Sequence, residues 1–335
     1  MDRPVATSRP KRHHFVPRAY LDRFALGHMV VVRRRDSKIF TANTAKVAVQ
    51  CGLYDIGAGA DHRDSTVEFR LADWESDALD AIYELDRTGK PPSKGSRHRA
   101  ALALFLALQL SRTPEQRERV EFASRVAKYA DGREVVAELV AEHLENVHLR
   151  AKPSAKEVEA AHEFVSIDLS NGATTPEFAI SLMLKSAILM APLLADLSWT
   201  IEIDRKELLI ASDTPLVIWR APSPRDAYEG VGIMTADELR IPLDPSKQLV
   251  LAKKTRTETA RITPERSRAC NQDHADSCHR FILGNPRAEA SLARVVLKAH
   301  RPVLRFNKGP LLTVSKDGRY VKEGEVLHMW VPRRV

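Results

Sequence analysis

Cysteine is scarce in this 335-residue chain, and this scarcity excludes a fold that depends on disulfides. The three cysteines, Cys51, Cys270 and Cys278, are too few and too far apart to form a disulfide framework, which indicates a reducing compartment. We therefore expect a cytoplasmic protein.

Aromatic residues and the common catalytic motifs are also in short supply. Aromatic side chains form 6% of the chain, and only Phe15, Tyr20 and Phe24 stand among cations as a base-stacking surface requires. The sequence contains no Gly-rich phosphate loop, no Gly-x-Ser-x-Gly elbow and no His-Glu-x-x-His helix. P-loop nucleotide hydrolysis, serine-esterase chemistry and zincin proteolysis therefore lack support. We also expect no nucleotide cofactor, because no cofactor fingerprint appears.

Long hydrophobic runs are limited to one segment. Residues 178–195 are largely apolar, but Lys185 in the middle and Pro192 near the end predict a kinked, buried helix instead of a membrane span. We therefore expect no membrane contact. Residues 1–12 are polar and basic, and they predict a flexible tail instead of a secretory signal.

Basic residues outnumber acidic residues in this chain. Fifty-two lysines and arginines against 44 acidic residues give a net charge of +8. The cations are spread from Arg3 to Arg334, so the attraction for phosphate-rich partners is general and not confined to one segment. Nucleic acid is the partner class that this charge favours, and the sequence leaves the oligomeric state open.

The first two hundred residues have a mainly helical pattern. Residues 65–68, Ser-Thr-Val-Glu, form a capping box at the start of a long helix. Residues 100–110 are continuously apolar and predict a central core helix. Thr-Pro-Glu triplets place proline at the first helical position and predict three further helix starts, at Thr113, Thr175 and Thr263.

Strand patterns occupy the two ends of the chain. A short helix at 18–24 and a hairpin of residues 29–32 and 38–40 are predicted near the amino terminus. From Trp199 onward, short runs separated by turn residues predict an antiparallel meander, with strands at 199–203, 208–210, 216–219, 239–241 and 249–251. Two additional edge strands are expected, at 303–306 and 326–330.

These patterns predict the fold class. Strands and helices do not alternate regularly, which argues against a doubly wound parallel sheet. We therefore predict an α+β fold with a predominantly helical body and a C-terminal antiparallel β-sheet. After the tail of residues 1–12, residues 13–335 are expected to form a single domain, with a helical part at about 65–196 and a sheet-rich part at about 197–335.

The segment of residues 11–24 concentrates imidazoles, cations and aromatic side chains. Neutral imidazoles can bind a metal or take up a proton, and the surrounding guanidinium groups favour an anionic partner. His14 is favoured over His13 as a functional residue, because Phe15 and Tyr20 are expected to anchor the chain directly after it.

Five short motifs succeed one another along most of the chain. They are His14-Phe15-Val16-Pro17, a helix bearing Glu68 and Glu75, the run Leu-Ala-Leu-Gln-Leu-Ser-Arg-Thr-Pro that contains Gln109 and Arg112, Ser212-Asp213-Thr214-Pro215, and Ile241-Pro242-Leu243. In their order and spacing they resemble the bacterial family catalogued as domain of unknown function 4238. The resemblance implies no established activity, but it implies a set of polar residues: His14, Glu68, Glu75, Gln109, Arg112, Asp213 and Asn271.

The residue types in this set suit a metal-assisted hydrolase. An imidazole and carboxylates are the ligand types that bind Mg²⁺, Mn²⁺ or Zn²⁺ when a protein activates water, and the predicted ligands are His14, Glu68, Glu75 and Asp213. We expect a divalent metal here, Mg²⁺ or Mn²⁺ before Zn²⁺. An arginine can clamp a phosphate through paired donors. The first hypothesis is therefore a phosphodiesterase or nuclease with four catalytic residues, His14, Glu75, Arg112 and Asp213. Gln109 and Asn271 are further polar candidates.

Structural roles explain the same residues equally well. Glu68 completes the capping box, Glu75 and Arg112 can form a buried ion pair, and Asp213 precedes a turn. The second hypothesis is therefore a non-catalytic binding or regulatory protein, in a bacterial defence or toxin system, whose polar set forms an internal hydrogen-bond network. The sequence alone leaves both hypotheses open.

Overall fold

The computed structural model describes residues 12–35, 38–54, 66–148, 152–173, 175–222, 230–254, 257–299, 303–314 and 320–330. Over these residues the chain has ten α-helices and thirteen β-strands. The α+β class and the helical body followed by C-terminal sheet structure are confirmed. Of the predicted tail at residues 1–12, only Arg12 lies among the described residues, and it begins the first strand.

The helices follow the predicted pattern closely. They are α1 (Arg18–Asp22), α2 (Thr66–Thr88), α3 (Arg97–Ser111), α4 (Pro114–Val120), α5 (Phe122–Ala130), α6 (Ala137–His148), α7 (Ala155–Ser170), α8 (Pro176–Asp196), α9 (Pro264–Ser277) and α10 (Glu289–Arg294). The three Thr-Pro-Glu starts are confirmed, because the hydroxyls of Thr113, Thr175 and Thr263 each accept a hydrogen bond of 3.2 Å from the amide three residues later. Ser65 of the predicted capping box lies outside the described residues.

Most of the strands are short, and the last two are the longest. They are β1 (Arg12–His14), β2 (Met29–Arg34), β3 (Ile39–Asn43), β4 (Val49–Cys51), β5 (Ser198–Ile203), β6 (Ala211–Ser212), β7 (Val217–Trp219), β8 (Glu238–Asp244), β9 (Lys247–Ala252), β10 (Thr259–Arg261), β11 (Phe281–Gly284), β12 (Arg305–Val314) and β13 (Tyr320–Trp330). The expected edge strands near 303–306 and 326–330 instead pair with each other, as β12 and β13.

Two larger sheets organise the fold. One has the strand order β10-β5-β9-β8-β7 and contains the predicted antiparallel meander, with β10 added parallel to β5. The other has the order β3-β2-β11-β6, so the amino-terminal hairpin pairs with a strand about 250 residues later. The remaining strands form two two-stranded pairs, β1 with β4 and β12 with β13.

The prediction of a strand at residues 208–210 is wrong. The amide of Leu209 donates to the carbonyl of Pro245 at 3.0 Å, and the amide of Ile210 donates to Oδ1 of Asn271 at 3.1 Å. Since a loop carbonyl and a side chain satisfy these donors, the segment joins no sheet until Ala211. This apolar run is an irregular segment because its hydrogen-bond partners lie outside any sheet.

The helix expected at 178–195 is present, but the prediction that it is buried is wrong for most of its length. Helix α8 packs Met183, Ala187 and Leu194 into the main core, but Leu189 on another face is 73% exposed. The span Glu177–Asp196 is long and apolar enough to cross a membrane, and 28% of its most apolar window is buried. Helices in the cores of soluble proteins can be equally long and apolar.

The chain divides into two compact units. The single domain expected for residues 13–335 stays a prediction. Unit 1 comprises Met1–Gln116, Ile180–Arg220 and Ile233–Arg301, and it contains both larger sheets packed with helices α2 and α3. Unit 2 comprises Arg117–Ala179, Ala221–Gly232 and Pro302–Val335 and has its own apolar core. All seven predicted site residues belong to unit 1.

Candidate functional site

The seven predicted site residues lie in three places with different partners. Glu68 and Glu75 lie on α2, and Glu75 contacts Arg112 at the end of α3, close to Gln109. His14 ends β1. Asp213 and Asn271 lie near β6 and α9. The structure therefore brings part of the set together and leaves the rest apart.

An ion pair joins helices α2 and α3. Nη1 of the fully buried Arg112 donates to Oε1 of Glu75 at 2.6 Å, and the Glu75 side chain is 23% exposed. With its amide oxygen turned toward Arg112, Gln109 accepts hydrogen bonds from Nη2 at 2.5 Å and from Nε at 3.3 Å. Glu75, Gln109 and Arg112 therefore meet, as their spacing on two neighbouring helices suggested.

Arg112 keeps its positive charge in this buried setting. Burial by itself lowers the pKa of the Arg112 guanidinium, but Glu75 and then Tyr54 outweigh burial and hold the pKa above its ordinary value. Glu75 and Gln109 both bind the buried guanidinium, which is the arrangement of a structural ion pair.

His13, and not the favoured His14, reaches the carboxylate of Glu68. Nδ1 of His13 lies 3.3 Å from Oε2 of Glu68, and the buried imidazole meets the Tyr54 ring edge-on at 5.5 Å between centroids. Tyr54 also faces Arg112, so the two pairs form one network between α2, α3 and the amino-terminal segment. Along β1 side chains alternate, so the chain turns His13 into the core, and His14 instead places Nε2 3.4 Å from the carbonyl of Thr44.

Asp213 binds backbone amides. Its Oδ1 accepts from the amide of His279 at 2.7 Å and its Oδ2 accepts from the amide of Arg280 at 2.6 Å. Burial raises the pKa of Asp213 to about 6, although the two amides lower it. The carboxylate thus positions the chain at the start of β11.

Asn271 likewise satisfies backbone groups. Its Nδ2 donates to the carbonyl of Leu208 at 2.8 Å while its Oδ1 accepts from Ile210, so α9 fixes the irregular segment that precedes β6. This is the pinning role that the side chain can fill without any ligand.

The four predicted metal ligands do not meet. His14, Glu68, Glu75 and Asp213 each have a different partner, and within the described part of the chain no three histidine, cysteine or acidic side chains are grouped so that they could hold a metal ion. A divalent metal at these residues stays a prediction, as does their catalytic role.

A pocket that sequence reasoning missed lies on one face of the β3-β2-β11-β6 sheet. Its volume is about 400 Å³. Alternate residues of neighbouring strands share this face, because the register sets Val32 opposite Phe40 and Arg34 opposite Phe281. Val32, Phe40 and Phe281 line the pocket together with Phe15, so its floor is apolar. We call it the sheet-face pocket.

All the polar side chains in the lining of the sheet-face pocket are basic residues. Its basic side chains are Arg34, Arg35, Lys46, His279 and Arg280. None of the described residues that line it is acidic. A concave surface with charge of one sign focuses its electrostatic field and attracts ligands of the opposite charge.

Two of the arginines are held in place by the fold. The Arg35 guanidinium donates to the carbonyls of Lys298, Ala275 and Cys278 at 3.0, 3.1 and 2.6 Å. The guanidinium carbon of Arg34 lies 5.4 Å from the centroid of the Phe40 ring. Arg35 therefore supplies a fixed charge, and Arg34 is an exposed cation stacked beside an aromatic ring.

The sequence contains a partial signal for this pocket. Arg33-Arg34-Arg35 ends a β-branched run, and His279-Arg280 precedes another apolar run. Each of these two basic segments is ordinary by itself. Their meeting depends on the pairing of β2 with β11, which no local pattern reveals.

Comparison with known proteins identifies the family. The sequence model of the family described as Protein of unknown function (DUF4238) matches residues 12–288, and the chain belongs to this family. No curated protein and no solved structure matches the chain. The matched residues include the network around Arg112 and almost all of the lining of the sheet-face pocket.

Proposed function

We propose that this protein is a binding protein for nucleic acid and that the sheet-face pocket holds the phosphate-bearing ligand. One observation carries the proposal: four arginine and lysine side chains line the same concave surface as three phenylalanines, with no acidic residue among the described lining. Lysine and arginine neutralise phosphates, and arginine adds paired donors. The net charge of +8 attracts the same partner over longer distances.

The polar network around Arg112 supports binding over metal-assisted hydrolysis. Its members are buried or partly buried and bind one another, as expected of an internal hydrogen-bond network. Asp213 and Asn271 hold backbone segments in the same way. The phosphodiesterase hypothesis requires His14, Glu75 and Asp213 around one reacting phosphate, and these residues have separate partners.

The test is to remove two exposed cations from the pocket. We expect Arg34→Gln combined with Lys46→Gln to weaken binding of a fluorescein-labelled single-stranded oligonucleotide by about tenfold or more at low salt, measured by fluorescence anisotropy. The slope of log K against log salt should become shallower by about 1.4, because two phosphate contacts are lost and single strands give roughly 0.7 per contact.

A matched variant controls for total charge. Lys253→Gln combined with Arg261→Gln removes the same charge from two exposed positions beside the five-stranded sheet of unit 1. This control should bind like the wild type. Equal weakening in both double variants would show that binding follows net charge alone and would refute the assignment to the pocket.

A further inference from the structure

We infer that the unit recognised by the sheet-face pocket is a single unpaired nucleotide, with its phosphate among Arg34, Lys46 and Arg280 and its base against the apolar floor at Phe40. The inference rests on the proposed function and narrows it to one substrate class. The nucleotide can be free or part of an unpaired strand, since both present the same chemistry.

The shape of the site carries the first step. Double-stranded DNA is a convex rod that proteins read by inserting a helix or a two-stranded ribbon into its major groove. The sheet-face pocket is a concavity of about 400 Å³, which lies in the range of small-ligand sites. A flipped-out or unstacked nucleotide can enter such a pocket, whereas a paired and stacked one remains inside its duplex.

The lining of the pocket has a basic part and an apolar part, and this division is the second argument for a nucleotide. Arg34 lies opposite Phe281 in the sheet register, and the amide of Arg35 donates to the carbonyl of Arg280 at 3.0 Å, so the arginines cluster at the end of β2 and the start of β11. Val32 and Phe40 lie further along the same sheet face. A ligand that satisfies both parts joins a strongly anionic group to a flat, less polar body. Inorganic phosphate lacks the second part.

The exposure of Phe40 carries the third step. Its side chain is 38% exposed, while Phe15 and Phe281 in the same lining are buried. A large aromatic ring exposed inside a basic pocket offers a planar group on which a base can stack, and the Arg34 guanidinium that would hold the phosphate lies 5.4 Å from its centroid. Stacking of this kind tolerates any base, so we expect weak dependence on sequence.

The experiment compares three ligands on the full chain. A labelled single-stranded oligonucleotide should bind at least about tenfold more tightly than a blunt duplex of the same length and sequence, and excess 5′-AMP should compete with it. Phe40→Leu should weaken single-strand binding by about tenfold because it keeps apolar bulk and removes the ring. Phe69→Leu is the matched control, since Phe69 is 67% exposed on α2 of the same unit.

The outcomes separate this inference from the proposed function. Equal affinity for single strand and duplex would overturn the inference. The proposed function would survive that result if the double variant Arg34→Gln with Lys46→Gln bound both oligonucleotides more weakly than the wild type. Absence of binding to every ligand would overturn both. Binding of 5′-AMP, measured directly by isothermal titration calorimetry, without binding of either oligonucleotide would support nucleotide recognition and overturn nucleic acid as its source. The comparison of the three ligands uses wild-type protein and does not depend on the folding of Phe40→Leu.

Discussion

Replacing Arg112 with leucine is expected to lower the free energy of unfolding by about 3 kcal/mol, because removing one partner of a buried ion pair leaves the other uncompensated. The loss should lie at the lower end of the usual range, since Glu75 keeps 23% of its side chain exposed and can be partly hydrated. Gln109 also loses the donors that its buried amide oxygen faces.

Urea denaturation of matched variants measures this loss. Arg97→Leu, at an exposed position on the first turn of the same helix, should change stability by roughly 0.5 kcal/mol or less. Arg112→Lys should fall between wild type and Arg112→Leu, because an ammonium keeps the charge but not the planar fork. If Arg112→Leu were as stable as Arg97→Leu, the network would contribute nothing to folding, and a functional role for Arg112 would regain support.

Asp213 is expected to make the wild type less stable as the pH rises from about 4 to about 6. Burial raises the pKa of this carboxyl from its ordinary 3.8 to about 6 in the folded state, so over this interval the folded protein binds more protons than the unfolded chain. Its contribution to stability is therefore greatest below the unfolded pKa and declines until the pH passes the folded pKa. The decline is on the order of 3 kcal/mol, at about 1.4 kcal/mol for each pKa unit.

Comparison with Asp213→Asn isolates this titration. Asparagine cannot ionise, and its carbonyl oxygen can still accept from one of the two amides of residues 279 and 280. The difference in unfolding free energy between wild type and Asp213→Asn should therefore shift against the wild type between pH 4 and pH 7. Parallel stability profiles over that range would contradict a buried, titrating carboxyl.

Asp213 also connects the stability of the fold with the geometry of the sheet-face pocket. The two amides that it accepts from belong to His279 and Arg280, whose side chains line the sheet-face pocket. Asp213 is thus a positioning residue for the pocket. The sequence placed it at a strand end, where sites are often assembled, and the structure explains this position by a backbone contact.

Local chemistry predicted most of the elements of this fold. The Thr-Pro-Glu starts, the apolar run in α3 and the meander of β7, β8 and β9 depend on neighbouring residues and were predicted correctly. The irregular segment 208–210 and the exposed face of α8 were not predicted. Contacts with residues elsewhere in the chain decide whether an apolar run joins a sheet or is buried against the core. The pairing of β12 with β13 and the division into two units also depend on contacts between residues that are distant in sequence, which a local pattern does not reveal.

The candidate site was predictable only in part. Glu75, Gln109 and Arg112 were grouped correctly, because two adjacent apolar helices present them at compatible turns. Strand alternation at β1 turns the imidazole of His13 into the core, which the local sequence did not reveal, and the preference for His14 as a functional residue stays a prediction. The sheet-face pocket was missed because it requires the register of β2 against β11.

Photo-crosslinking tests most directly whether the sheet-face pocket is the binding site. A single-stranded oligonucleotide that contains 4-thiothymidine would be irradiated with the full-length protein, and the crosslinked residues would be identified by mass spectrometry. We expect crosslinks within 29–34, 39–43 and 279–284. These crosslinks should disappear when an excess of unlabelled oligonucleotide is added, and also in the double variant Arg34→Gln with Lys46→Gln. Specific crosslinks confined to residues 117–179 and 302–335 of unit 2 would contradict the assignment.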